Sequence, residues 1–316
     1  MVVQTEYLGY LLMVAECGSL NKAAQELYIS QPALNSAMNS LEKELGYSIL
    51  NRSSKGVTLT KVGEQIVKDA NGIIATIKRW QSLAEIDDEI CKNVAVCGFG
   101  TINAYLFPEL VLRMKNKYKT IKITTFNQTD PIETIKMVNK DKVRVGIIGV
   151  TEYRKKELFE KWGGSVQFEK LLKENYHVVF NSLHSLTNNL SNITLESIKD
   201  FPIVMYSTED LFEIQYIKQL KKFFLESKWT YLATNEAILS LLGSSDAITF
   251  FPEMYIYYNS AFSSGELAHS NVKDLDLTLE HYLVYSKEEY LTKIDKIIVE
   301  EIRQIYLQYK KSLVKA

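Results

Sequence analysis

Between Ser19 and Leu45 the apolar positions recur at helical spacing twice, with one interruption. Ser19 is an N-cap type residue, and Leu20, Ala23, Ala24 and Leu27 follow on one face. Tyr28 and Ile29 break the pattern. Ser30 offers a second N-cap, and Pro32 falls in the next first turn, where its missing N–H costs nothing. In this second helix Leu34, Ala37, Met38, Leu41 and Leu45 share one face, while Gln31, Asn35, Ser36 and Asn39 share the other. A merely solvated face usually carries Lys and Glu. This one is short-chained and rich in amides and hydroxyls, the groups that hydrogen-bond base edges in a DNA major groove. The stretch predicts a helix-turn-helix, against the plainer reading of a helical hairpin in an all-α core.

The flanking pattern extends this. Residues 5–17 predict a helix with Leu8, Leu11, Leu12 and Ala15 on its apolar side, ended by Gly18. Gly46 closes the polar-faced helix. Ser48–Leu50 and Val57–Leu59 predict two short strands around a basic turn, Asn51–Gly56. Such a hairpin is a wing, whose tip suits Arg52 and Lys55 to phosphates or a minor groove. Thr60 then caps a helix reaching about Asp88. Ile66, Ala70, Ile73, Ile77, Trp80 and Ala84 recur on it in steps of four and three. The helix would span roughly 40 Å at 1.5 Å per residue, and its seam predicts a homodimer presenting two reading helices to two half-sites.

From Asn93 the periodicity changes. NVAVCGF, KITTFN and VRVGIIGV predict strands, separated by helices at Thr101–Tyr118 and Pro131–Lys140. This βαβαβ run marks a parallel sheet with helices on its faces. A second series starts near Val166, with HVVFN, PIVMYS, a helix over 210–226, WTYLAT, a short helix at 235–243 and AITFFP. LTLEHYLVYS and a long helix from Tyr290 to Lys310 follow. Two such units joined end to end make a cleft, a favoured ligand site.

Charge changes one expectation. The chain carries net charge −1, and residues 1–58 hold Lys22, Lys43, Arg52 and Lys55 against Glu6, Glu16, Glu26, Glu42 and Glu44. Nonspecific DNA affinity is mainly phosphate neutralisation, so this end alone is expected to bind weakly and to depend on pairing. Cys17, Cys91 and Cys97 have no metal-ligand spacing and read as free thiols, with a redox switch at Cys91 or Cys97 the lesser alternative. No apolar run is long enough to span a bilayer and no leader is evident, which predicts a cytoplasmic protein without a membrane partner. An enzyme is disfavoured. His177, His184, His269 and His281 are scattered, and there is no G-x-S-x-G and no Gly-rich phosphate loop.

Residues 20–64 resemble the LysR-type transcriptional regulators. Their pattern of A-A-x-x-L, S-Q-P-A-[LV]-S, L-E-x-x-L-G, L-F-x-R and L-T-x-x-G is met in order by Ala23, Ala24, Leu27, Ser30, Gln31, Pro32, Ala33, Leu34, Leu41, Glu42, Leu45, Gly46, Leu50, Arg52, Leu59, Thr60 and Gly63. The resemblance covers essentially the whole chain. It implies an α+β multidomain protein: a winged helix-turn-helix (1–59), a linker and dimerisation helix (60–90), and an effector-binding region (91–316) of two α/β subdomains resembling periplasmic solute-binding proteins. Subdomain I is expected over about 91–165 and 270–316, and subdomain II over about 166–269, with the chain passing between them near Gly164–Glu169 and Glu266–Lys273.

The resemblance further implies a homotetramer on double-stranded promoter DNA, with RNA polymerase as a further partner and no cofactor. A small anionic metabolite in the cleft would control it. Ser30, Gln31, Pro32, Asn35, Ser36, Asn39, Arg52 and Lys55 are the expected DNA contacts. Gly100, Thr101, Ile102, Asn127, Thr129, Tyr206, Ser207 and Phe250 are the expected effector contacts. Two departures stand out: Asn35 occupies a usual serine position, and Asn51 replaces the wing phenylalanine. A ligand-independent regulator with a vestigial cleft is the alternative.

Overall fold

The computed structural model describes residues 4–53, 56–83, 93–118, 120–206, 220, 223–224, 228–287 and 291–313, without the side chains of residues 75, 78–83 and 153. The chain divides into two compact units, Met1–Ile90 with Ser286–Ile294, and Cys91–Tyr285 with Asp295–Ala316.

The first unit is built from α1 (Thr5–Cys17), α2 (Leu20–Glu26), α3 (Gln31–Leu45), the hairpin β1 (Leu50–Ser53) and β2 (Gly56–Leu59), and α4 (Lys61–Leu83). Local signals set its boundaries. Gly18 and Gly46 end α1 and α3 in the left-handed region, and Ser19 and Ser30 cap α2 and α3 by accepting from Lys22 N and Ala33 N. Leu11, Val14, Ala23, Leu34, Met38, Leu41 and Ile49 fill one core. The first strand lies later than its sequence suggested. Leu50 pairs with Leu59 and Arg52 with Val57, so Asn51 and Arg52 belong to the ladder and not to the turn.

Glu42 ties the wing to α3. Its Oε1 accepts from Ile49 N at 2.7 Å and Leu50 N at 2.9 Å, and its Oε2 lies 3.0 Å from Arg52 Nη2. On α4 the seam residues divide. Ala70 is sealed inside its own unit, and Ile66 packs on the same core beside α1. Ile73 is exposed and Ile77 half-buried. A four-three repeat specifies an apolar stripe but not which helix covers it; here α1 of the same chain takes its first part. Ala84 and the Trp80 side chain fall outside the description.

The second unit holds β3 (Asn93–Gly98), α5 (Phe107–Lys117), β4 (Lys122–Asn127), α6 (Pro131–Asn139), β5 (Val145–Val150), α7 (Glu152–Trp162) and the long β6 (Gln167–Asn181). Then come α8 (Leu195–Ile198), β7 (Ile203–Tyr206), β8 (Trp229–Leu232), α9 (Asn235–Gly243), β9 (Thr249–Pro252), α10 (Glu253–Tyr258), α11 (Ser260–Ser263), β10 (Leu267–Ser270), β11 (Thr278–Tyr285) and α12 (Lys293–Leu313). β3 pairs in parallel with β4 and β5. β11 lies antiparallel between β5 and β6. β5 is buried along its whole length, as a parallel strand covered on both faces must be. The predicted helix over 210–226 falls almost wholly outside the described residues.

β6 belongs to both halves. It pairs with β11 as far as Asn175, then with β9 from Tyr176 and with β10 over Val178–Asn181. The strand therefore runs on unbroken past the Gly164–Glu169 stretch where the sequence pattern changes. No turn residue marks the change of partners, because the strand never breaks.

Glu280 on β11 is buried and held by Lys170, by Lys155 Nζ at 3.0 Å, and by the Tyr282 hydroxyl, which donates at 2.6 Å. Burial alone would raise its carboxyl, but these partners overcome it and bring it from the ordinary 4.5 down to about 2. A carboxyl with a depressed folded value stabilises fully above its unfolded value, and that contribution fades as pH falls. The unit is thus expected to lose stability between pH 4.5 and 2. Glu280→Gln should weaken it at neutral pH and flatten that decline, as urea unfolding across the pH range will show.

Candidate functional site

On α3 the apolar half is buried and the polar half faces out. Leu34, Ala37, Met38 and Leu41 are buried, whereas Gln31, Pro32, Ser36 and Asn39 are exposed and Asn35 is half-buried. At the start of α3 Ala33 N is taken by the Ser30 cap and Leu34 N by Ser30 O, and Pro32 has no N–H, which leaves the Gln31 N–H at the exposed helix N-terminus, a position suited to a phosphate. Asn39 and Arg52 are drawn together, since Arg52 Nη2 donates to Asn39 Oδ1 at 2.8 Å. The wing arginine is thereby fixed against the reading helix, with Glu42 beneath it. Lys55 falls outside the described residues.

The cleft of the second unit has a volume of about 450 Å³. Gly100, Thr101, Asn127, Thr129, Tyr206 and Phe250, all expected from sequence, line it. Ile102 does not. It is wholly buried, packed so closely that a Cβ on Gly98 would lie 2.7 Å from its Cγ2. The hydrophobic position after Thr101 anchors the helix to β3 and leaves the glycine and threonine facing the ligand space. Ser207 falls outside the described residues.

Local geometry explains this wall. A helix begins at Gly100, widens into a π-turn over Ile102–Leu106, and continues as α5. Phe107 N donates to Ile102 O in the wider turn. Pro108 has no N–H and its ring crowds the preceding turn, so the widening lets the helix run on through the proline. Asn103 secures the start by donating to Gly98 O and Phe126 O. Asp130 caps α6 by accepting from Ile132 N at 3.0 Å. Thr151 stands at the N-terminus of α7, lines the cleft, and is buried, its Oγ1 without a hydrogen-bond partner among the described residues. One turn on, Arg154 is also buried, with Nη2 3.7 Å from Asp130 and Nη1 without a hydrogen-bond partner among the described residues.

Several lining residues lay outside the sequence reading: Phe99, Tyr105, Thr151, Tyr176, Glu236 and Tyr255. They come from separate elements with no common spacing. The fold also joins histidines that the sequence left scattered. His177 Nδ1 lies 2.9 Å from His269 Nδ1, and its Nε2 lies 3.1 Å from Glu253. Burial and the neighbouring His177 lower His269, while Glu253 opposes them. Among the described residues no group of histidine, cysteine and carboxylate side chains is arranged to hold a metal ion, and no helix is long and apolar enough to cross a membrane.

The chain thus sets a winged helix-turn-helix unit ahead of an α/β unit that holds a cleft. Residues 5–64 match the model for the bacterial regulatory helix-turn-helix proteins of the lysR family. Residues 88–305 match that for the LysR substrate binding domain. The chain belongs to the LysR family. Among its relatives is YkuM of Bacillus subtilis, an uncharacterised helix-turn-helix-type transcriptional regulator. It is 31% identical over 147 residues, which are 46% of this chain and 50% of the relative. The match thus spans only half of that curated protein. Among solved structures, full-length OxyR from Pseudomonas aeruginosa has a TM-score of 0.59 at 18% identity, covering 96% of this chain and 95% of its own. Full-length BenM has a TM-score of 0.56 at 18% identity, covering 97% and 98%. These two likenesses concern the fold.

Proposed function

We propose that the protein is a DNA-binding transcriptional regulator that reads promoter half-sites and is controlled by a small molecule in the α/β cleft. The observation that carries this is the outward face of α3, where Gln31, Asn35 and Ser36 stand beside a capped helix N-terminus. With no arginine on that face, adenine contacts from the Gln31 or Asn35 amides suit it best. Asn35→Ala is expected to weaken binding to the preferred operator by roughly tenfold or more, and to relax the preference at one base position. Comparing the variant across operator mutants tests this. Uniform loss over every sequence would reject base reading by Asn35.

The effector is a small carboxylate or similar anion. The hydroxyls of Thr101, Thr129 and Thr151 supply donors, that of Thr151 buried and without a partner among the described residues, and helix N-termini begin at Gly100 and Glu152. Such a ligand regulates only if it binds one arrangement of the assembly better than another. Pairing through the exposed part of α4 around Ile73, and higher assembly to a tetramer, would supply the DNA affinity that the near-neutral reading unit lacks. Sedimentation of the full chain with operator DNA measures that assembly. The cytoplasm, with chromosomal DNA and RNA polymerase, is the compartment this role requires.

A further inference from the structure

The charge of the cleft is one-sided. Among its described lining residues Glu236 is charged, and no lysine, arginine or histidine accompanies it. Glu236 sits in the first turn of α9 without a hydrogen-bond or ion-pair partner among the described residues. Its field reaches two tyrosines. Burial raises the Tyr105 and Tyr255 hydroxyls above the ordinary phenol value, and the Glu236 carboxylate raises both further.

Those rings form a continuous aromatic wall. Tyr105 meets Tyr255 edge-on, with centroids 6.0 Å apart, and stacks on Tyr258 at 5.5 Å. Phe251 stacks on Tyr255 at 4.3 Å. Asn259 fixes the arrangement by donating to the Tyr105 hydroxyl at 3.1 Å. An anion here would meet a carboxylate and the negative faces of the rings, whereas an ammonium group is attracted by both. A glutamate in a first turn also favours its helix, but that role needs no tyrosines and no cleft.

Two unlike environments thus share one cavity. The threonine hydroxyls and helix N-termini favour a negative group, and the Glu236 and tyrosine wall favours a positive one. We infer that the effector is a zwitterion of the amino-acid type, its carboxylate held by Thr101, Thr129 and Thr151 and its ammonium group by Glu236 beside Tyr105 and Tyr255. The inference rests on the cleft being the ligand site proposed above.

The test titrates the full-length protein, by calorimetry and thermal shift, against the protein amino acids and linear aminoalkanoates. Each is run beside its des-amino carboxylic acid. At least one zwitterion is expected to bind and raise the melting temperature, with its des-amino partner roughly tenfold weaker or worse. Glu236→Gln should weaken the zwitterion by a similar factor while binding the des-amino acid as tightly as the parent or tighter, since a negative charge is removed; Glu236→Asp should retain part of the binding. A des-amino acid that binds as tightly as its amine overturns the ammonium assignment and leaves the anion site standing. So does a Glu236→Gln protein that binds the zwitterion undiminished. Silence from both arms overturns the cleft reading and this inference together.

Discussion

Glu174→Ala is expected to destabilise the α/β unit by about 3–5 kcal/mol, lowering its melting temperature by roughly 10 °C. Glu174 is almost wholly buried, one residue before β6 leaves β11. Its Oε2 accepts from Met254 N at 2.6 Å, and its Oε1 lies 2.7 Å from His281 Nε2. His281 Nδ1 lies 2.8 Å from the Tyr306 hydroxyl, and both of those residues are buried. Glu174 thus accepts from one buried N–H, and its second oxygen approaches the His281 ring without a hydrogen bond. Alanine leaves Met254 N without its acceptor, removes the carboxylate beside His281 and adds a void, and a buried donor left unsatisfied is the costly case. Glu174→Gln should cost less, because it keeps the volume and one acceptor oxygen. The His281 ring also meets Phe99, a cleft residue, edge-on at 5.1 Å. The alanine variant should therefore bind ligand more weakly as well. A melting point within a degree or two of the parent would show that the network contributes little.

Gly63→Ala is expected to cost the helix-turn-helix unit about 3 kcal/mol and to abolish operator binding at working concentrations. The sign matters more than the size. Glycine to alanine inside a helix ordinarily stabilises by about 1 kcal/mol. At Gly63 a Cβ would lie 2.3 Å from the Ile49 carbonyl oxygen, a backbone atom with no rotamer to yield. That oxygen already accepts from Thr60 N at 2.9 Å, and the Thr60 hydroxyl accepts from Gly63 N at 3.0 Å. α4 cannot move away without releasing the base of the wing. Gly9 in α1 is the internal control, since nothing lies within 4 Å of its added Cβ. Gly9→Ala should stabilise the same unit by about 0.5–1 kcal/mol. If both substitutions shift the melting temperature in the same direction, the contact at Gly63 is not what limits that position.

These two positions differ in how far the chain announces them. Gly63 sits in a local run, L-T-x-x-G, and its constraint comes from Ile49, a short way back along the sequence. The same holds for Ser30, Pro32 and the buried stripe of α3, where each residue's role depends on neighbours within a few turns. Glu174 gives no such signal, because Met254, His281 and Tyr306 are brought to it only by the sheet. The cleft is legible in the same proportion. Gly100, Thr101 and Thr129 follow strands near helix starts and Asn127 ends one, places that periodicity locates. Tyr105, Glu236 and Tyr255 reach the cavity from helices whose facing depends on the whole second half of the chain. Ile102 shows the limit from the other side: a residue adjacent in sequence to two lining positions points into the core.

The placement of β11 has a consequence for how the protein is made. Thr278–Tyr285 lies between β5 and β6, yet follows β5 by more than a hundred residues of chain and β6 by nearly as many. While the polypeptide emerges from the ribosome, the facing edges of β5 and β6 wait unpaired for a strand not yet synthesised. The helix-turn-helix end depends on near neighbours and can fold as it emerges. The α/β unit acquires its central strand only near the end of translation, so its open sheet edges are where a stalled or truncated chain is most prone to aggregate.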